Sequence, residues 1–338
     1  MTVLTQECEV VWLDAPHQMA FKTEQCETPG DTQLLCRTLY SAVSPGTELA
    51  AYRGDPPLRP GPIGPRVVGY CNVARVEACG SAVSNYSTGD LVLTLASHRS
   101  AYLVDQADVQ AKLAADAPLA ESACTYLFHL GYSALMEGGA RAGSRVAVIG
   151  LGALGLGSVA VAAHAGCTVA AVSNQEASRQ DASVLGAHEV LTRAQAGEID
   201  GAEVDGYDLV ILTTGRWDDW NIALRVAAPR ATIAVLGFPG RDGRLPESNP
   251  FASEFFYAKQ LSIKAVGIMP YGPDARHFLR FNQQRNMAYL SGLIAAGKLD
   301  ASRLITEVRP ARELETIYKS LDARERHYVT GVLDWTDV

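Results

Sequence analysis

The sequence lacks a Cys-x-x-Cys pair, a dense run of lysine and arginine, and a basic and apolar leader at its start. Its seven cysteines are an odd number at scattered positions, which argues against a disulfide framework and a four-cysteine zinc lobe. The net charge is −8, the opposite of the basic field typical of nucleic-acid-binding proteins. We therefore expect a cytoplasmic protein with reduced thiols and no nucleic-acid partner.

Long hydrophobic runs are also scarce. Residues 146–163 are apolar, Gly or Ser throughout and are long enough to suggest a membrane span. Repeated glycines interrupt this run, and Arg145 stands directly before it. We interpret it as a buried strand, a Gly-rich turn and a helix, so no membrane partner is expected.

The order of the predicted elements indicates an α/β chain of two domains, as its 338 residues allow. Residues 1–117 hold short β-rich runs separated by Gly/Pro turns, typical of a sandwich or barrel. In residues 118–268 apolar strands alternate with helices, typical of a doubly wound parallel sheet. The last segment, residues 269–338, predicts a helix over 275–296 and a final strand.

A glycine fingerprint stands at the start of this parallel unit. The stretch Gly150-Leu151-Gly152-Ala153-Leu154-Gly155 follows a predicted strand and opens a predicted helix. Such glycines permit a tight turn, a close approach of the backbone to a pyrophosphate, and close packing of helix on strand. The stretch predicts dinucleotide binding; the alternative is a Gly-rich packing turn without a ligand.

The end of the second strand bears on which dinucleotide binds. NAD-binding units usually place Asp or Glu there, on the ribose 2′-hydroxyl, whereas this chain has Ser173 and Asn174, with Arg179 shortly after. A hydroxyl does not repel a 2′-phosphate and an arginine can pair with it, so NADPH is favoured over NADH. Alternatively Arg179 is solvated and Glu176 binds the ribose. A later strand ends in Thr213-Thr214-Gly215, at the edge where ligands bind.

Several short patterns carry a family resemblance. Residues 48–54 are similar to a D-L-H-x-Y-x-G stretch, residues 69–80 to a G-H-E strand, and residues 89–92 match G-D-x-V. In their order they resemble the medium-chain dehydrogenase/reductase superfamily over nearly the whole chain. The resemblance implies a GroES-like catalytic domain in residues 1–117, a Rossmann-type domain in 118–268, and a return segment completing the catalytic domain. It also implies a homodimer, and cofactor contact by Leu236-Gly237-Phe238.

The zinc positions of that superfamily are occupied here by other residues. Zinc-dependent members use a Cys, the His of G-H-E, and a third Cys, Glu or Asp. The corresponding residues are Pro45, Tyr70 and, near the third position, Tyr126, while Cys71 replaces the Glu of the motif. A catalytic zinc needs about three protein ligands. The sequence therefore predicts a zinc-independent member that holds no metal.

Without zinc, a side chain must polarise the reacting oxygen, since the nicotinamide supplies only the hydride. Tyr70 is the first candidate, because a phenol donates hydrogen bonds and its surroundings can lower its pKa; the alternative is a packed core tyrosine. Thr47 is a candidate proton relay or a turn cap. Glu48 is a candidate to orient Tyr70 or to pair with Arg53 or Arg66.

Tyr126 and His98 are further candidates for a place near the reacting group. Tyr126 is expected to face the nicotinamide if its helix aligns with the superfamily. His98, with Arg99 beside it, is expected to be a solvated loop residue, and the alternative is a general acid.

Three functional hypotheses follow. The favoured one is a zinc-independent, NADPH-dependent reductase of a ketone or an activated C=C bond in a small or medium organic substrate. The second is an NAD(P)-dependent alcohol dehydrogenase, because residues 41–48 resemble the S-G-I-S-x-G-T-E of bacteriochlorophyllide hydroxyethyl dehydrogenases. The third is a non-catalytic dinucleotide-binding sensor.

Overall fold

The computed structural model describes residues 6–56, 64–202, 206–241, 243–323 and 327–338. The chain divides into two compact units. One contains the described residues up to Tyr126 together with those from Pro270 onward, and the other is Leu127–Met269. The division after residue 126 lies a short way beyond the predicted boundary after residue 117. The chain returns to the first unit at Pro270, next to the predicted start of the return segment at residue 269.

The first unit is rich in antiparallel strands. A three-stranded sheet has the order β2-β1-β4, and a second sheet has the order β15-β16-β3-β5-β6-β8, with β7 pairing to β3. Its N-terminal elements are β1 (Gln6–Ala15), β2 (Gln18–Cys26), β3 (Gln33–Ala42), α1 (Pro45–Arg53), β4 (Arg66–Val67), β5 (Asn72–Cys79), β6 (Leu91–Thr94), β7 (Ala101–Asp105), β8 (Ala111–Leu113) and α2 (Leu119–Ser122).

The second unit is a six-stranded parallel sheet with the order β11-β10-β9-β12-β13-β14. Its central strands are short apolar runs that are buried on both faces, as the sequence pattern predicted. The elements from the start of this unit are α3 (Thr125–Glu137), β9 (Arg145–Ile149), α4 (Ala153–His164), β10 (Thr168–Val172), α5 (Glu176–Val184), β11 (Glu189–Leu191), α6 (Arg193–Gly197), β12 (Tyr207–Leu212), α7 (Trp217–Val226), β13 (Ala227–Val235) and β14 (Ser262–Ala265).

The return segment adds two strands to the second sheet of the first unit. Its elements are α8 (Gln283–Ala295), β15 (Ile305–Pro310), α9 (Leu314–Ala323) and β16 (Thr330–Asp334). The helix predicted over residues 275–296 begins later than expected. Asn282 ends the preceding coil, because its side-chain oxygen accepts from the Arg285 amide at 3.0 Å and caps α8.

These observations confirm the predicted α/β architecture, with a GroES-like β-rich domain and a Rossmann-type parallel sheet. The apolar run at residues 146–163 is the strand β9, the Gly-rich turn and the helix α4. Within the described residues, the structure contains no helix with the length and apolar character needed to cross a membrane.

Candidate active site

The turn after β9 is built around two glycines that admit no side chain. Gly150 has φ +92°, and a Cβ there would lie 2.3 Å from the Thr214 Cγ2 atom. A Cβ on Gly155 would lie 1.8 Å from the carbonyl oxygen of Gly150. Both positions therefore require glycine for the turn to fold back against the sheet and for α4 to pack on it.

Gly152 differs from these two glycines because the space that a side chain would occupy there is open. A Cβ added there would meet no atom within 4 Å, and its extended backbone (φ −83°, ψ −165°) is open to any residue. Gly152 also caps α4, so the space beside it faces the amide groups of the first helical turn and the positive end of the helix dipole. A pyrophosphate fits such a space, and the residues present suit a dinucleotide.

The tip of β10 brings together the residues predicted to choose the cofactor. The Arg179 guanidinium donates from Nη1 to the Ser173 carbonyl at 2.7 Å. The Ser173 hydroxyl accepts from the Gln175 amide at 3.1 Å, and the Asn174 side chain accepts from the Arg193 amide at 2.9 Å. Arg179 is therefore held at this tip by a hydrogen bond.

The ends of two neighbouring strands support the glycine turn. The Thr213 hydroxyl lies 3.0 Å from the carbonyl of Ile149 and 2.9 Å from that of Gly150. A Cβ on Gly237 would lie 2.5 Å from the Thr214 amide nitrogen, so the stretch from Leu236 to Phe238 runs close against residues 213–215. The residues predicted to contact the cofactor, 213–215 and 236–238, thus form one packed edge of the sheet.

Sequence reasoning missed a buried ion pair at this same edge. Asp219, in the first turn of α7, is completely buried, and Arg193 and Thr214 donate to its carboxylate. The sequence does show a capping box, because the Thr192 and Gln195 side chains cap α6 reciprocally. The sequence gives no signal, however, that the Arg193 side chain contacts Asp219 of α7.

In the first unit, Tyr70 lies in a cluster of hydroxyl groups. Its phenol donates to the Ser44 hydroxyl, and it also hydrogen-bonds to the Thr47 side chain. The rings of Tyr70 and Tyr126 meet edge to face, with centroids 5.4 Å apart. The structure therefore brings together three of the four predicted catalytic residues, Tyr70, Thr47 and Tyr126, and adds Ser44, which the sequence analysis overlooked.

The surroundings of Tyr70 raise its pKa, contrary to the expected lowering. Burial is the largest cause, and it outweighs the hydrogen bonds with the Ser44 and Thr47 side chains, which lower the pKa. Tyr70 thus holds its proton throughout the neutral and moderately alkaline range.

The expectations for Glu48 and His98 need correction. His98 is completely buried rather than solvated, and its Nε2 lies 2.9 Å from the Glu48 carboxylate. Glu48 also accepts from the Tyr318 hydroxyl at 2.6 Å and from the Ser44 amide at 2.7 Å. Arg53 instead pairs with Asp322 at 2.5 Å. Glu48 holds the Ser44 backbone beside Tyr70, and its negative charge contributes to the raised pKa of Tyr70.

The far side of His98 extends this buried network. Its Nδ1 lies 2.8 Å from the Ser41 hydroxyl, which also accepts from the Trp335 indole at 2.8 Å. A Cβ on Gly69 would lie 2.6 Å from the His98 ring, so this glycine (φ +90°) makes room for it. The network joins β3, α1, α9 and Trp335, the residue after β16, around one buried carboxylate.

The residues at the superfamily's zinc positions do not form a ligand set. Pro45 is the first residue of α1, and burial raises the pKa of the Cys71 thiol well above its usual value. Within the described ranges, no three His, Cys, Asp or Glu residues are grouped so that they could hold a metal ion. Of Pro45, Tyr70, Cys71 and Tyr126, only Cys71 carries a side chain that commonly binds zinc, whereas a catalytic site uses about three such ligands.

Part of the chain matches a family of known proteins. Residues 153–281 match the family described as zinc-binding dehydrogenase. None of the curated protein sequences matches the chain.

Solved structures share the fold over nearly the whole chain. A zinc-binding dehydrogenase from Sinorhizobium meliloti 1021 bound to NADP has a TM-score of 0.79 at 19% identity, covering 97% of this chain and 99% of that one. Galactitol-1-phosphate dehydrogenase from Escherichia coli has a TM-score of 0.80 at 17% identity, covering 96% and 99%. A short chain alcohol dehydrogenase from E. coli CFT073 complexed with NADH has 0.79 at 16%, covering 97% and 99%.

Proposed function

We propose that this chain is a zinc-independent, NADPH-dependent oxidoreductase of the medium-chain dehydrogenase/reductase superfamily, which the family match over residues 153–281 and the shared fold support. Its substrate is a small or medium organic molecule with a ketone or an activated C=C bond. The observation that carries this proposal is the hydroxyl cluster of Tyr70, Ser44 and Thr47, which includes a position where zinc-dependent relatives have a metal ligand.

Zinc independence is proposed on the chemistry of the residues. The family match covers residues 153–281, which include neither Pro45, Tyr70, Cys71 nor Tyr126, so its description does not bear on these positions. The test is metal analysis of the purified protein, combined with activity before and after chelation. We expect no stoichiometric zinc and no loss of activity; stoichiometric zinc that is needed for turnover would contradict the proposal.

The residues that would hold NADPH follow from the sheet edge. Gly152 and the first turn of α4 suit the pyrophosphate, while Ser173 and Arg179 suit the adenosine 2′-phosphate. When bound, NADPH supplies a hydride to the substrate. Structures with the same fold are bound to NADP and to NADH, which supports a nicotinamide cofactor, and the choice of NADPH rests on Ser173 and Arg179.

Tyr70 then serves as hydrogen-bond and proton donor to the reacting oxygen, with Ser44 and Thr47 holding the phenol in place. In ketone reduction the carbon gains the hydride and the oxygen gains the Tyr70 proton, which yields an alcohol. An alkoxide is more basic than a phenolate, so this proton transfer is favourable even from a phenol whose pKa is raised. Protonation of an enolate at oxygen gives an enol, which is a stronger acid than an alcohol, so this proton transfer is less favourable and the ketone is favoured over the C=C bond.

The test is a parallel fluorescence titration with NADPH and NADH, followed by a screen of ketones and enones with wild type and Tyr70→Phe. We expect tighter binding of NADPH, and a roughly 10²- to 10⁴-fold slower turnover in Tyr70→Phe with unchanged NADPH affinity. Tighter binding of NADH would favour alcohol oxidation. Cofactor binding without turnover of any compound would favour the non-catalytic sensor.

We also propose a cytoplasmic homodimer. All seven cysteines are free thiols, as expected in a reducing compartment. Strand β14 is the edge of the parallel sheet, and pairing with its twin would cover the open backbone groups of that edge. Light scattering on the purified protein should give twice the mass of one chain; a monomer at micromolar concentration would contradict the dimer.

A further inference from the structure

The buried carboxylate of Asp219 in α7 links Arg193 of α6 to Thr214, which follows β12, at the sheet edge proposed to bind the cofactor. Arg193 donates to both of its oxygens, from Nε at 2.6 Å and from Nη2 at 3.0 Å. The Thr214 hydroxyl lies 2.6 Å from the same group. A buried charge persists only where it is paired and hydrogen-bonded, and here both conditions are met. The carboxylate therefore fixes the orientation of the Arg193 guanidinium.

Arg193 also lies beside the tip of β10. Its amide donates to the Asn174 side chain at 2.9 Å, and the parallel register pairs Val172 of β10 with Leu191 of β11. Arg179 is held at the same tip through the Ser173 carbonyl. Two arginines thus flank the end of this strand, one of them anchored by Asp219.

The guanidinium of Arg193 is only partly used by this anchor. Its side chain is 22% exposed, whereas Asp219 is fully buried. Asp219 takes the Nε hydrogen and one Nη2 hydrogen, and the remaining N–H groups of the fork are available to a further acceptor. A phosphate matches such a fork in geometry and in charge.

We propose that Arg193, positioned by Asp219, is a specificity-determining residue that binds the 2′-phosphate of the cofactor together with Arg179. Its role is to discriminate NADPH from NADH. Asp219 is a positioning residue, since it acts through Arg193. This inference rests on the proposed function, because it assumes that the edge binds a dinucleotide.

The test measures the affinities of NADPH and NADH by fluorescence, and of 2′,5′-ADP by calorimetry. We expect Arg193→Met to weaken NADPH and 2′,5′-ADP roughly 10- to 100-fold, as for the loss of one charge-assisted contact, and to change NADH less than about threefold. Arg193→Lys keeps the charge without the fork and should give an intermediate loss for NADPH.

Arg225→Met is the matched control. Arg225 is exposed in the last turn of α7, at the other end of the helix from Asp219, and its removal changes the net charge equally. This variant should leave all three affinities unchanged. A parallel loss of NADPH affinity in the control would overturn the local assignment, because it would indicate an effect of net charge alone.

Asp219→Asn tests the positioning role. It should lower the ratio of NADPH to NADH affinity, whereas a merely structural role would lower both affinities in parallel and leave the ratio unchanged. If wild type prefers NADPH and neither Arg193 variant changes the ratio, the inference is wrong while the proposed function stands. If wild type binds neither dinucleotide, the proposed function fails and this inference fails with it.

Discussion

The two units of this chain differ in how far apart along the sequence their functional residues lie. In the parallel unit, one short stretch from Gly150 to Gly155 supplies the turn, the open space and the helix start. In the β-rich unit, the network around Glu48 draws on His98, Tyr318 and Trp335, from segments far apart in the chain. The first arrangement is local, and the second exists only after folding.

The comparison also concerns what each unit buries. A Cβ on Gly152 would meet no atom within 4 Å, so a side chain there would add no packing contacts to the unit. The buried Glu48 carboxylate is hydrogen-bonded to His98, the Tyr318 hydroxyl and the Ser44 amide, so this network stabilises the fold of the β-rich unit. We therefore expect substitutions in the Glu48 network to affect stability, and a substitution at Gly152 to affect binding.

The largest effect on stability is expected for Glu48→Ala. Removing the carboxylate leaves His98, Tyr318 and the Ser44 amide buried without their acceptor. Loss of one partner from a buried network of this kind costs about 3–5 kcal/mol. Denaturant unfolding of wild type and variant measures the difference in free energy.

Glu313→Ala is the control for this experiment. Glu313 accepts from Arg309 at 2.5 Å, but its side chain is 44% exposed, and exposed pairs contribute little. Its removal should lower the free energy of unfolding by less than about 1 kcal/mol. Equal losses in both variants would show that the buried network has no special role in stability.

A second effect concerns His129 of α3, in the parallel unit. Burial lowers its pKa to about 4, so the folded protein keeps it neutral where the unfolded chain, with an ordinary value near 6.5, binds a proton. The unfolded state therefore binds more protons between these values, and the free energy of unfolding falls as the pH decreases from about 6.5 to 4. At pH 4 this residue lowers the free energy of unfolding by about 3 kcal/mol, and above pH 6.5 it has no such effect.

The measurement compares wild type with His129→Phe at pH 7 and pH 4.5. The variant should lose less stability on acidification, by about 2–3 kcal/mol. The exposed His164, changed to Gln, is the control and should leave the acid sensitivity as in wild type. An identical acid sensitivity in His129→Phe would contradict the assignment.

A smaller effect is expected at Lys259. Its ammonium group donates to the carbonyls of Leu224, Arg225 and Ala227, at the C-terminal end of α7, at distances of 2.7–3.1 Å. Lysine there satisfies carbonyls that have no partner within the helix and complements the helix dipole. Lys259→Met should cost about 1–3 kcal/mol in unfolding free energy. A Lys298→Met control, at an exposed position, should cost nearly nothing.

The same contrast explains how much of the molecule the sequence could predict. The Gly-rich turn, the strand before it and the helix after it were predicted well, because apolar runs and turn glycines act over a few neighbouring residues. The grouping of Tyr70 with Thr47 and Tyr126 came from the family resemblance, not from local signals.

Other parts depended on contacts between distant segments. His98 is followed by Arg99 in a loop, and nothing near it indicates that it packs against Gly69 and meets Glu48. Asp219 occupies an ordinary acidic position in the first turn of a helix, and only the fold brings Arg193 to it. Burial likewise reversed the expected direction of the Tyr70 pKa, because desolvation depends on the packed surroundings.

The smallest effect on stability, and the sharpest test of the comparison, is expected for Gly152→Val. A valine side chain there enters open space on extended backbone, so the free energy of unfolding should change by less than about 0.5 kcal/mol. Gly155→Val would instead press a Cβ to within 1.8 Å of the Gly150 carbonyl and should disrupt the turn and destabilise the unit. Because the space beside Gly152 is proposed for the pyrophosphate, Gly152→Val should nevertheless abolish NADPH binding in a fluorescence titration. A stable Gly152→Val protein that binds NADPH like wild type would mean that the cofactor lies elsewhere, and the division between a binding edge and a stabilising network would not hold.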